Sequence, residues 1–69
     1  MEIYDIYAEM NKTQLAKFES GKLQMPNFPG VEIRNKKGSR GFFFECDGEY
    51  SFDAVVEFLD ALGINWQED

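Results

Sequence analysis

The side chains in this chain best placed to do chemistry are carboxylates. Asp53, Glu57 and Asp60 recur at spacings of four and three, which on a helix makes one acidic stripe with no basic residue in it. Glu45, Asp47 and Glu49 come just before it. Clustered carboxylates can work as general acid and base, hold a hard cation, or imitate the charges of a phosphate backbone. Acid–base catalysis needs a concave site, and 69 residues leave little volume for one once a core is filled. Cation binding through Glu45, Asp47, Glu49 and Asp53 lacks the alternating oxygen ligands of an EF-hand loop, and a turn separates Glu45 from Glu49. A surface offering negative charge to a basic partner is the reading that remains. It competes with a plain solvated helix face. Like charges at these spacings destabilise a helix by a few tenths of a kcal/mol per pair. Asp60 also lies near the carboxyl end, where the helix dipole disfavours it. An unfavourable local pattern of this kind is where function is expected to sit.

The chain contains no histidine, which removes the commonest general base and metal ligand at neutral pH. Its single cysteine, Cys46, has no histidine to activate it and reads as a small core residue. A non-enzyme without cofactor or metal is therefore expected. The basic residues Arg34, Lys36, Lys37 and Arg40 collect around one loop beside Phe43, in outline a nucleic-acid contact. They also suit a loop kept soluble and guarded against edge pairing.

Thirteen acidic against seven basic residues give a net charge of -6, a field that repels phosphate backbones and attracts basic proteins. The aromatic share of 16% supplies core material. A domain this small buries only about 60% of its unfolded surface, so a partner adds to its stability. One cysteine, no long apolar run and no basic-then-apolar amino terminus point to a cytoplasmic protein, host cytoplasm if viral, away from membranes.

The elements that must position these groups make a single small α+β domain. Around a 100° period, Ile3, Tyr4, Ile6, Tyr7, Ala8, Met10, Leu15 and Phe18 fall on one arc, predicting a helix over residues 2–20 that Gly21 ends. Asn11 and Gln14 interrupt that arc. Pro26, Pro29 and Gly30 make a loop of residues 21–30, in which Leu23 and Met25 offer a short edge strand at 23–25. The spacing Pro26-x-x-Pro29 suits a polyproline ligand, or simply a loop returning Phe28 to the core. Strands are expected at 31–35 and 41–46, joined by a polar hairpin loop with Gly38 in a left-handed conformation. Ser51 is expected to cap a helix over residues 52–62, with Tyr50 and Val55 as a hydrophobic staple and Gly63–Ile64 closing it.

Gly41 to Cys46 decides how many faces must be covered. Phe42, Phe44 and Cys46 share one face of a strand and Phe43 takes the other. Phe43 is then either covered by the first helix or the hot spot of an interface, with Tyr4 and Trp66 as further aromatic anchors.

Leu15 to Lys22, with Pro26 following, resembles the recognition-helix end of phage-repressor helix-turn-helix domains. It covers under a fifth of the chain, and the hairpin that follows leaves no place for the other helices of such a domain. The strand–strand–helix order of Val31 to Leu62 resembles the arm-binding domains of phage integrases, which are basic where this chain is acidic. In size and charge the chain is similar to phage anti-restriction and anti-CRISPR proteins. That resemblance implies a small inhibitor that blocks the basic, nucleic-acid-binding surface of a larger protein. Direct nucleic-acid binding through the basic loop is one alternative. A homodimer closed through the spare phenylalanine face is another.

Overall fold

The computed structural model describes residues 2–69. Its elements run β1 (Ile3–Glu9), α1 (Lys12–Glu19), β2 (Val31–Arg34), β3 (Gly41–Asp47), α2 (Glu49–Ala61) and β4 (Asn65–Glu68). The strands form one antiparallel sheet in the order β2-β3-β1-β4. Each β-α-β unit leaves a gap one strand wide, and the other unit fills it, the split β-α-β arrangement. The expected α+β class, the hairpin and the C-terminal helix are all present.

The helix expected over residues 2–20 is not. Its first half is β1, and only Lys12–Glu19 is helical. From Tyr4 to Met10 every second residue is apolar, and Asp5 and Glu9 occupy the alternate positions, a period of two interrupted only by Tyr7. Pairing this segment along the whole of β3 gives the hairpin a third strand, without which two strands are marginal. The helix begins at the two residues that interrupted the apolar arc. Asn11 caps it, accepting from the Gln14 amide at 2.7 Å, while the Gln14 side chain accepts from the Asn11 amide at 2.9 Å. Gln14 also donates to the Leu62 and Gly63 carbonyls at 3.3 and 3.2 Å, joining the start of α1 to the end of α2.

The suggested edge strand at 23–25 does not form. Leu23, Met25 and Phe28 lie in an irregular segment and pack partly buried against the core. Ser51 is a second correction. The helix starts three residues earlier, at Glu49 after Gly48, and Ser51 is buried within its first turn. Its hydroxyl donates to the Pro29 carbonyl at 2.7 Å, supplying a donor that the proline-rich loop lacks. Tyr50 consequently points to solvent, 86% exposed, and staples nothing. At the other end the expected closure is present: Gly63 donates to Asp60 and Ile64 to Leu59, at 3.1 and 2.9 Å, with Gly63 at φ 67°.

The helices share one face of the sheet. Ile6, Ala8, Phe42, Phe44 and Cys46 line that face and are buried with Met10, Val55, Leu59 and Ile64. Phe18 of α1 meets Phe42 edge-on at 5.1 Å, and Phe58 of α2 meets Phe28 of the loop at 5.5 Å. Phe44 sits at the centre, opposite Ile6 on one side and Ile33 on the other. Phe44→Ala should cost about 3–5 kcal/mol, most of the stability of a domain this size. Urea denaturation followed by circular dichroism will show the midpoint fall or the transition vanish.

Candidate functional site

With both helices on one side, the other side of the sheet is uncovered. Its side chains form rows set by the strand register. One row reads Arg34, Phe43, Tyr7, Gln67 across the four strands. The next reads Glu32, Glu45, Asp5, and the Asp69 amide donates to the Asp5 carbonyl at 2.9 Å, extending it beyond β4. An aromatic row therefore lies beside an acidic row. Glu9 and Asp47 add carboxylates above and below, so this face holds Asp5, Glu9, Glu32, Glu45 and Asp47 against Arg34 alone within the strands.

Local geometry shapes the two aromatics. A β-carbon on Gly41 would lie 2.6 Å from the Tyr7 hydroxyl oxygen and 3.0 Å from a ring carbon. Tyr7 therefore lies down over the glycine instead of standing off the sheet. Its hydroxyl is 3.5 Å from a Glu9 carboxylate oxygen. A groove of about 220 Å³ opens beside it, lined by Tyr7, Glu9, Asn65, Trp66 and Gln67. A second, broader depression of about 590 Å³ has Ile3, Glu32, Glu45 and Asp47 on its walls.

Electrostatically the face is only partly balanced. Arg34 reaches Glu32 at 3.4 Å and Glu45 at 3.9 Å, and Arg40 reaches Glu9 at 3.9 Å. Asp5 has one carboxylate oxygen buried with no hydrogen-bond partner among the described residues. Among those residues no group of three or more His, Cys, Asp or Glu is placed to hold a metal ion.

The anticipated contact residues do not form one surface. Glu45 and Asp47 lie on the open face of the sheet. Asp53, Glu57 and Asp60 are exposed on α2, which covers the opposite face, and Glu49 is in its first turn. Asp60 accepts from the Trp66 indole at 2.8 Å, the compensation its position near the helix end calls for. Trp66 is half-buried, its ring edge-on to Phe52 at 6.2 Å. Tyr4 is on the helix-covered face with its ring 5.4 Å from Phe52. Neither stands free as an anchor. Phe43 does lie on the uncovered face, half-buried, and α1 does not reach it. In the basic loop Arg34 and Arg40 are held by carboxylates, leaving Lys36 and Lys37 at the exposed tip. Tyr7, Asp5, Glu9, Asn65 and Gln67 are not among the expected contact residues, because the apolar arc makes β1 look helical and nothing in the sequence predicts β4. The alternation from Tyr4 to Met10 is the signal that could have found the first three.

Two titrations follow from this packing. Tyr4 donates to the Glu2 carboxylate, and that bond, with the negative charge of Glu2, Glu49 and Glu68, pushes its phenol from 10.0 to about 12. The neutral phenol is the form the fold favours, so its contribution to stability is whole below pH 10 and is lost as the pH rises through 12. Tyrosinate absorbance should include a late step near pH 12, and Tyr4→Phe should remove that step. Burial raises the Cys46 thiol, and nearby Asp5 adds to the shift. Thiol reagents at neutral pH should leave Cys46 unmodified until denaturant is added.

No protein-family model, curated protein or solved structure matches the chain, so no relative lends it a function.

Proposed function

We propose that this chain is a non-enzymatic binding module that covers a basic surface on a larger, nucleic-acid-handling protein, and that it docks through the open face of its sheet. One observation carries the reading: an aromatic pair, Tyr7 and Phe43, lies side by side on an uncovered face whose strands carry five carboxylates and one guanidinium, with Arg40 at the edge beside Glu9. Aromatics anchor protein interfaces, and matched charge steers and selects the partner. The net charge of -6 supports the same sign of partner.

The other readings fit this surface less well. A second copy of the chain would set these carboxylates against their own kind. Direct nucleic-acid binding through Arg34, Lys36, Lys37 and Arg40 has two of its four cations engaged by Glu32, Glu45 and Glu9. An inhibitor of the phage anti-restriction or anti-CRISPR kind, acting in the cytoplasm, is the form of the activity this charge and size favour. No helix in the described residues is long and apolar enough to cross a membrane.

Charge reversal distinguishes the two acidic regions. The immobilised chain should capture basic proteins from a lysate at low salt, and added DNA should release them by competing for the same surface. Asp5→Lys with Glu45→Lys and Asp47→Lys should reduce capture about tenfold or more. Asp53→Lys with Glu57→Lys and Asp60→Lys should leave most of it. Loss confined to the second set would move the docking surface to α2, and captured proteins that DNA cannot displace would end the reading.

A further inference from the structure

Resting on that docking reading, we infer that the groove beside Tyr7 receives an arginine side chain of the partner and selects it over lysine. The aromatic row itself supplies the pattern. At its β2 end the protein's own Arg34 stands opposite Phe43 in register and reaches the carboxylates of Glu32 and Glu45. At its β4 end Tyr7 stands opposite Gln67, a neutral residue, and the groove of about 220 Å³ opens there. The groove offers groups of the same kinds: the Tyr7 ring, the Glu9 carboxylate, one oxygen of which lies 3.9 Å from Arg40, and the side-chain amides of Asn65 and Gln67, with no cationic side chain among its described lining residues.

The chemistry of the walls favours guanidinium. A planar guanidinium stacks on an aromatic ring while its edge donates several hydrogen bonds to carboxylate and amide oxygens in the same plane. A lysine ammonium is a compact, strongly hydrated charge that cannot stack and donate in this way. Because Tyr7 lies down over Gly41, its ring forms a floor for stacking beside the groove. Gly41 is thus a positioning residue. A larger residue there would lift the ring without changing any charge. Its backbone has no positive φ, so a side chain is tolerated by the strand.

Oligoarginine and oligolysine peptides of equal length and capped ends are the probes, with isothermal titration calorimetry as the readout. Oligoarginine should bind about three- to tenfold tighter than oligolysine. Gly41→Val and, separately, Tyr7→Ala should abolish that preference while leaving oligolysine affinity within about twofold. Asp5→Asn with Glu45→Gln should weaken both peptides. Equal binding of the two peptides by the unaltered chain overturns the arginine site and leaves the acidic docking face standing. A preference that survives both Gly41→Val and Tyr7→Ala also overturns it. Binding of neither peptide removes the site and the docking reading together. Circular dichroism of each variant checks that the fold is kept, and Gly41→Val serves as the test if Tyr7→Ala does not fold.

Discussion

Everything on this molecule's surface depends on the register between β1 and β3. Seven consecutive pairs join them, and the helix-covered side needs Ile6 opposite Phe44 and Ala8 opposite Phe42. A slip of one residue would turn those side chains outward and bring Asp5 and Tyr7 beneath the helices, so burial holds the pairing in place. The same constraint dictates the other face. Once Ile6 meets Phe44, Asp5 must meet Glu45 and Tyr7 must meet Phe43. The acidic row and the aromatic row are the reverse side of the core, written by the same pairing.

That reverse side is not arranged for stability. Carboxylates directly opposite one another, as Glu32, Glu45 and Asp5 are, oppose strand pairing by a few tenths of a kcal/mol or more each. The ion pairs of Arg34 and Arg40 are solvent-exposed, and exposed pairs return at most about 1 kcal/mol. Asp5 keeps a buried oxygen without a donor among the described residues. The core, closed by aromatic edge contacts and by Gln14 bridging the two helices, tolerates this repulsion. An incoming cation would relieve it.

How much could be read beforehand follows from which signals are local. The hairpin, the C-terminal helix, the closures at Gly21 and Gly63 and the left-handed Gly38 are set by residues within a few positions of each other, and each was legible. β1 was not, because an eight-residue arc of apolar side chains absorbs Tyr7 as readily as it absorbs Ile6. What separates the two periods is Asn11 with Gln14, which start a helix where they look only like interruptions of a longer one. Ser51 was misplaced for the opposite reason. It has a capping residue's chemistry, but the donor it offers is taken by Pro29, twenty-two residues back in the chain. The candidate face was legible only in part: Phe43 could be named as the spare aromatic, but its neighbour Tyr7 is supplied by a strand whose pairing no local pattern reveals.

The strand order also has a consequence in time. Of the four strands β1 is made first, yet both of its neighbours, β3 and β4, are encoded from Gly41 onward, so it must wait unpaired while the middle of the chain is made. A waiting strand with exposed edges invites pairing with other chains. In β1, Asp5 and Glu9 interrupt the apolar side chains and keep that segment charged through the delay. The carboxylates that stand on the open face of the finished protein thus protect the unfinished one from its own kind.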